Sequence, residues 1–343
     1  MRILPVLSII FALFAMSMAG PVGKEVKQQK VTDEHAANQL VTDEHAANKE
    51  EAPVDTPVGS DADVNIATQE DLLGVKGLGE EEDAELLDAE VLSAEGEPAE
   101  AKAPIQKRVV GGAVVSGRWV RWQVSLQYRS GSTFKHLCGG VLVKRNWVLT
   151  AASCVRHRRA YRVVVGEKNL NQCGGEMLSV RRIYRHPQWR NSLTRGNDIA
   201  LLRLSSYVTL GTYVSLAPLP PAGQVLGHNH LCYITGWGRT ATRGRNSNVM
   251  RYATMRTVRQ NICRNRYWWG RSVNSNMICA GGNGRQAGCY GDFGGALNCY
   301  VGRKYVVHGI ASFVSSRGCN VARKPTVFTR VSAYICWIRG IIG

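Results

Sequence analysis

All ten cysteines of this 343-residue chain lie at or beyond Cys138. A dense, even set of cysteines belongs to an oxidising compartment and to a fold tied by disulfides. The leader agrees. Arg2 precedes an apolar run from Ile3 to Met18 that closes on Ala19-Gly20, the pattern of a cleavable secretory signal. Residues 1–19 are read as a signal peptide, and the destination as the extracellular space or a secretory granule. No other stretch approaches the ~20 apolar residues of a transmembrane helix, so no membrane span is expected.

The cysteine-free part has a different texture. Residues 20–108 contain no Trp, Tyr, Phe or Cys, and open with a tandem repeat, Val31–Asn38 and Val41–Asn48. Low apolar content with high charge cannot offset ordering entropy, which predicts a disordered acidic segment. A short helix around Glu80–Leu92 is the one element expected there. His35 and His45 read as solvated repeat residues. Residues 1–108 hold 9 Lys/Arg against 22 Asp/Glu, whereas residues 109–343 hold 34 against 4. Such asymmetry pairs an acidic segment with a basic domain.

From residue 109 onward the chain reads as all-β. Short apolar runs, among them Trp122–Leu126, Gly140–Val143, Trp147–Leu149, Arg162–Val165, Ile199–Leu202 and Val306–Ile310, are separated by Gly, Asn and Pro turns. Many short strands with turn signals indicate a sandwich or a barrel, without deciding between one barrel and two. Apolar residues recur at helical spacing from Val331 to Ile342, which predicts a C-terminal helix.

Four motifs carry a resemblance. Lys107-Arg108 precedes Val109-Val-Gly-Gly112; Thr150-Ala-Ala-Ser153-Cys154 and Asn197-Asp198-Ile-Ala-Leu201 follow; Cys289-Tyr-Gly-Asp-Phe-Gly-Gly-Ala296 comes last. Cys232–Gly238, Ser312–Asn320 and Arg323–Phe328 stand in the same order. The set resembles the chymotrypsin family of serine peptidases, and within it the pancreatic elastase branch. The resemblance spans 109–343. It implies a trypsin-like pair of six-stranded antiparallel β-barrels with a cleft between them. It also implies activation by a trypsin-like protease cutting after Arg108, the freed amine of Val109 then pairing with Asp292.

The family's nucleophile loop is Gly-Asp-Ser-Gly-Gly-Pro and its histidine motif Thr-Ala-Ala-His-Cys. Here Phe293 stands at the serine and Ser153 at the histidine, while Asp198 is retained. The mechanism needs an oxygen nucleophile, a base near neutrality and a carboxylate to orient that base. On chemistry alone the expectation is a proteolytically inactive relative, not an enzyme, with a phenyl ring obstructing the oxyanion site. His157 is too far along the chain to substitute. His136, His186, His228, His230 and His308 read as ordinary surface or core histidines.

The resemblance implies further roles. Gly291 and the N–H of Phe293 match the oxyanion donors. Ala287, Val314 and Thr326 match the walls of the specificity pocket, narrow enough for small apolar side chains. The implied disulfides are Cys138–Cys154, Cys232–Cys299, Cys263–Cys279 and Cys289–Cys319. Cys173 and Cys336 remain over, free or paired between molecules. The loop at the family's calcium site, Glu167–Glu176, keeps two carboxylates but adds Lys168, so neither calcium nor any other cofactor is expected.

Of the 34 basic residues after position 108, 29 are arginines. They cluster at Arg156, Arg158 and Arg159, at Arg181, Arg182 and Arg185, and at Arg264 and Arg266 beside Tyr267-Trp-Trp269. The planar guanidinium fork suits sulfate, phosphate and carboxylate. Expected partners are therefore polyanions, heparin-like glycans or a bacterial surface, in salt-dependent contact. The two replacements with a cationic surface resemble an inactive granule branch of the family, the azurocidin type. Alternatives are an elastase-like endopeptidase, or a decoy for protease inhibitors or activators.

Overall fold

The computed structural model describes Ile66–Ala67 and residues 110–343. Two short strands come first, β1 (Ile66–Ala67) and β2 (Ala113–Val114). Six strands then close a barrel: β3 (Gln123–Ser130), β4 (Thr133–Lys144), β5 (Trp147–Thr150), β6 (Tyr161–Val165), β7 (Glu176–Arg185) and β8 (Ala200–Leu204). Their order around it is β3-β4-β5-β8-β7-β6. The second barrel is built from β9 (Leu231–Gly236), β10 (Arg251–Val258), β11 (Met277–Ala280), β12 (Ala296–Val301), β13 (Lys304–Ser315) and β14 (Thr326–Arg330). Every neighbouring pair in both barrels is antiparallel. Closing each sheet on itself removes edges that would otherwise seek partners.

Local chemistry fixes the hairpins. The β12–β13 turn places both Gly302 and Arg303 at positive φ, 55° and 65°. Two such residues make the tight turn whose twist matches the strands it joins. The barrel interiors are apolar: Leu126, Leu142, Leu149, Leu201 and Leu202 in the first, Ile234, Leu297, Ile310 and Phe328 in the second, all fully buried. Each such side chain contributes roughly 1.5–3 kcal/mol by leaving water.

The seam between the barrels is polar and hydrogen-bonded at several points. Trp122 Nε1 donates to Asn298 Oδ1 at 2.9 Å, Thr235 Oγ1 to Gln123 Oε1 at 3.1 Å, and Thr329 Oγ1 to the carbonyl of Asp198 at 2.7 Å. Buried polar groups with partners fix a single docking geometry where apolar packing alone would slide.

The C-terminus departs from the expected continuous helix. Val331–Ala333 form a 3-10 turn, and α2 (Ile335–Ile342) starts only after Tyr334, at φ −120°. The break holds Tyr334 where its hydroxyl donates to Asn197 Oδ1 at 2.9 Å. A helix named α1 (Gln260–Cys263) lies earlier, between β10 and β11. Lys144 Nζ donates to the carbonyl of Ile342 at 2.7 Å, a cation at the negative end of α2. The helix expected at Glu80–Leu92 lies outside the described residues. Within the stretch expected to be disordered, Ile66–Ala67 form a strand paired with β13.

Candidate functional site

Two buried carboxylates, Asp198 and Asp292, organise the region where the barrels meet. Asp198 lies just before β8 and is 1% exposed. Facing it is a 3-10 turn, Ala152–Val155, hung from the end of β5 and tied back to β4 by the Cys138–Cys154 disulfide. That turn presents Ser153. The Ser153 N–H donates to Asp198 Oδ1 at 2.7 Å and the Ser153 hydroxyl to Oδ2 at 2.9 Å. From the second barrel, the Ser312 hydroxyl donates to Oδ2 at 2.5 Å. Burial pushes the carboxyl up to about 6, while the donors from Ser312 and Ser153 pull the other way. Desolvation therefore outweighs the hydrogen bonds from Ser312, Ser153 and the Ala152 backbone.

Asp292 sits in the turn that carries Phe293. Its Oδ1 accepts the N–H of Gly238 at 2.9 Å and its Oδ2 that of Cys289 at 3.0 Å. Burial raises this carboxyl to about 6 as well, and no cation contributes. The Gly236-Trp-Gly238 motif now has a reason. An added Cβ at Gly236 would stand 2.2 Å from Asp292 Oδ1, and one at Gly238 2.5 Å from Cγ. Arg108 and Val109 lie outside the described residues. Just beyond them Val110 is buried, and its carbonyl accepts the N–H of Ala287 at 3.3 Å.

Phe293 does not project into solvent. Its ring is buried, with its centroid 5.9 Å from that of Tyr290 at an interplanar angle of 77°. Its carbonyl accepts the N–H of Gly139 across the seam at 2.7 Å. The ring packs within the core, where a phenyl group gains from leaving water. Gly291 takes φ +93°, a conformation that favours glycine.

Sequence reasoning missed three residues of this region. His136, read as an ordinary histidine, contacts the nucleophile loop. Its Nε2 lies 2.9 Å from the carbonyl of Gly291 and its Nδ1 2.8 Å from Ser125 Oγ. The carbonyl can only accept, so Nε2 carries the proton and Nδ1 accepts from the serine. Burial lowers this imidazole to about 4, which keeps it neutral. Ser312 was visible only as part of a motif, and Tyr290 only as a neighbour of Phe293; nothing local marks either side chain's target.

Other expected sites are placed as follows. Ala287, Val314 and Thr326 are all buried, and Thr326 Oγ1 accepts the N–H of Gly288 at 3.1 Å. Disulfides join Cys138–Cys154, Cys232–Cys299, Cys263–Cys279 and Cys289–Cys319, leaving Cys173 and Cys336 free and exposed. Glu167 Oε1 accepts the N–H groups of Lys168 and Asn169, and Oε2 that of Gly174; Glu176 Oε2 accepts from Thr209 N–H. Carboxylates spent on backbone donors beside a lysine do not fit calcium, which takes 6–8 oxygens. Arg156 and Arg185 come together, since Arg185 Nε donates to the carbonyl of Val155 at 3.0 Å. Arg264 and Arg266 lie on the second barrel after α1, apart from that cluster in the fold order. Arg159, Arg182 and Arg266 each stand over a tyrosine ring, at 5.1, 4.9 and 4.7 Å from the centroid.

Comparison with known proteins adds two findings. The model of the trypsin family matches residues 109–338. Chymotrypsin-like elastase family member 1 of Rattus norvegicus is 52% identical over 239 residues, 69% of this chain and 90% of the relative. The human protein of that name is 51% identical over the same length and is covered to 93%; that of Canis lupus familiaris is 52% identical. These relatives overturn the expectation that the chain is not an enzyme. They are elastases by name and are matched over nearly their whole length. Ser153 and Phe293 therefore change which atoms can react within a peptidase group, and do not remove the chain from it.

Proposed function

Because the chain belongs to the trypsin family, which its match over residues 109–338 shows, we propose that it is a secreted elastase-like serine-type endopeptidase in which Ser153 and Asp198 form the reacting pair. The observation that carries this reading is the 2.9 Å contact between the Ser153 hydroxyl and Asp198 Oδ2. Burial brings that carboxyl up to about 6, closer to the range where a general base works at neutral pH. Ser153 Oγ attacks the peptide carbonyl as its proton passes to Asp198. The same proton then goes to the leaving amine as the C–N bond breaks, and a water that gives its proton to Asp198 hydrolyses the resulting ester and restores the Ser153 hydroxyl. Phe293 supplies a backbone N–H and no reacting side-chain atom. Ala287, Val314 and Thr326 favour small apolar substrate side chains. Without an imidazole the rate is expected to be far below that of a complete triad, within about 10³–10⁴ of the uncatalysed reaction. The leader and four disulfides support secretion, and among the described residues no helix is long and apolar enough to cross a membrane.

The test uses protein cleaved after Arg108. A fluorophosphonate is expected to label Ser153, and Ser153→Ala to abolish both the label and the hydrolysis of an alanine-rich peptide, while Phe293→Ala leaves both in place. Absence of label and of hydrolysis in the activated protein overturns the reading.

A second activity is favoured by charge. Residues 109–343 hold 34 basic residues against 4 acidic ones, and we read this cationic surface as a polyanion-binding face for heparin-like glycans or bacterial surfaces. Elution of the domain from heparin at ordinary physiological salt would remove this second activity.

A further inference from the structure

β13 outruns its barrel neighbours. β12 begins at Ala296, opposite Ile310, and the last residue of β13 paired with β14 is Phe313, opposite Val327. Val314 and Ser315 continue the strand beyond both walls. The Ser315 carbonyl is taken by the Gly318 N–H at 3.1 Å, so it is the Val314 backbone that would stand open, a template for another strand. In the full chain it is taken: Ile66 pairs with Ser315 and Ala67 with Val314, antiparallel.

The location matters more than the length. Ser312, whose hydroxyl donates to Asp198, lies two residues back along β13, about 7 Å at strand spacing. An antiparallel chain on this edge advances toward Ser312 as it runs from N- to C-terminus. A polypeptide substrate approaching Ser153 and Asp198 from that side would need the same backbone groups. The charges agree. Residues 60–72 hold four acids and no Lys or Arg, facing a domain with 34 basic residues and 4 acidic ones.

We propose that Ile66–Ala67 are a built-in occupant of the peptide-binding edge of β13, held there while the chain is intact and released once it is cut after Arg108. It relies on the proposed peptidase function only in taking the edge to be where substrate binds. Two paired residues make a weak contact, which a covalent tether converts into an occupied one through effective concentration. No cysteine lies before Cys138, so cutting leaves no disulfide to keep the segment in place.

The experiment compares amide hydrogen exchange at Ser312–Ser315 in the full wild-type chain and in full-length Ile66→Pro/Ala67→Pro. N–H groups alternate sides along a strand, so the double substitution removes whichever donor faces β13. Both positions lie outside the barrels, and a full-length chain lacking residues 60–72 serves as a second variant. The expected result is exchange at least tenfold faster in both variants at the amide facing β1. It should also be faster in wild type cut after Arg108, and slow again on adding a synthetic peptide of residues 60–72. A tetra-alanine peptide amide should bind the cut chain at least tenfold tighter than the intact one. Equal exchange in wild type and both variants, or equal tetra-alanine binding before and after cutting, overturns the proposal. Loss of hydrolysis with the exchange difference intact counts against the peptidase reading alone; hydrolysis with no exchange difference counts against this one alone.

Discussion

Asp198 and Asp292 are the same side chain in nearly the same degree of burial, each raised to about 6 by desolvation. Their surroundings differ in kind. Asp198 is held by the backbone of Ser153 and Ala152 and by two hydroxyls contributed from both barrels. Asp292 is held by two backbone N–H groups inside a glycine cradle. A hydroxyl can turn and accept, but an N–H cannot. The first pocket is thus adaptable and complete. The second is rigid and has no cationic partner among the described residues, which suits a carboxylate awaiting the amine that cutting after Arg108 would release.

The largest expected effect tests the cradle. Gly236→Ala forces a methyl to within 2.2 Å of Asp292 Oδ1 and should cost about 3 kcal/mol in urea unfolding. A loss below about 1 kcal/mol would show that the cradle yields. Next comes the paired substitution. Asp292→Asn turns an amide donor toward a fixed N–H and should cost about 2 kcal/mol. Asp198→Asn, whose hydroxyl partners can reverse, should cost under about 1 kcal/mol. Equal losses would erase the distinction between the pockets.

Acidity offers a third test. Asp198 and Asp292 keep their protons up to about pH 6 in the fold, whereas unfolded carboxylates release them near pH 4. Their contribution therefore falls as pH rises from about 4 to 6. His136 and His308 stay neutral down to about 4 because of burial, whereas unfolded imidazoles protonate near 6.5. Their contribution is full above 6.5 and is lost as pH falls toward 4. The two pairs oppose each other, so unfolding free energy of the uncut chain should be nearly flat across this window. Cutting after Arg108 is expected to give Asp292 a cationic partner and so to lower its carboxyl. Stability of the cut chain should then rise with pH by about 1 kcal/mol per unit. Parallel profiles before and after cutting would show that the amine never reaches Asp292.

The smallest effect concerns Ser312→Ala. Removing a donor that lowers the Asp198 carboxyl should raise its midpoint further, visible by carboxyl-carbon NMR titration, at about 1 kcal/mol in stability. An unchanged midpoint would exclude Ser312 from setting the carboxylate.

What could be read in advance follows from how local each signal is. Apolar runs between turn residues marked strands near all six places named, because alternation and turns act over a few residues. The helix from Val331 was overextended because Tyr334 leaves helical geometry to bond Asn197, a partner 137 residues away. The identities of Ser153 and Phe293 are plain in the sequence, and the chemistry of a complete triad points from them to an inactive chain; the elastase relatives overturn that expectation. Local reading does not reach the contact of Ser153 with the retained carboxylate or the burial of the Phe293 ring.

The sequence by itself determined the acid-to-base division at Arg108, the motif order and the identities at the three triad positions. Those are properties of residue type and near spacing. Only the tertiary structure decided that Ser312 and Ser153 share one carboxylate, that His136 bonds the nucleophile loop, and that Ile66–Ala67 pair with the end of β13. Each of these joins residues far apart in the chain, and their short contacts exist only once two closed barrels dock against each other and fix where the hydroxyls, the ring and the free strand edge point.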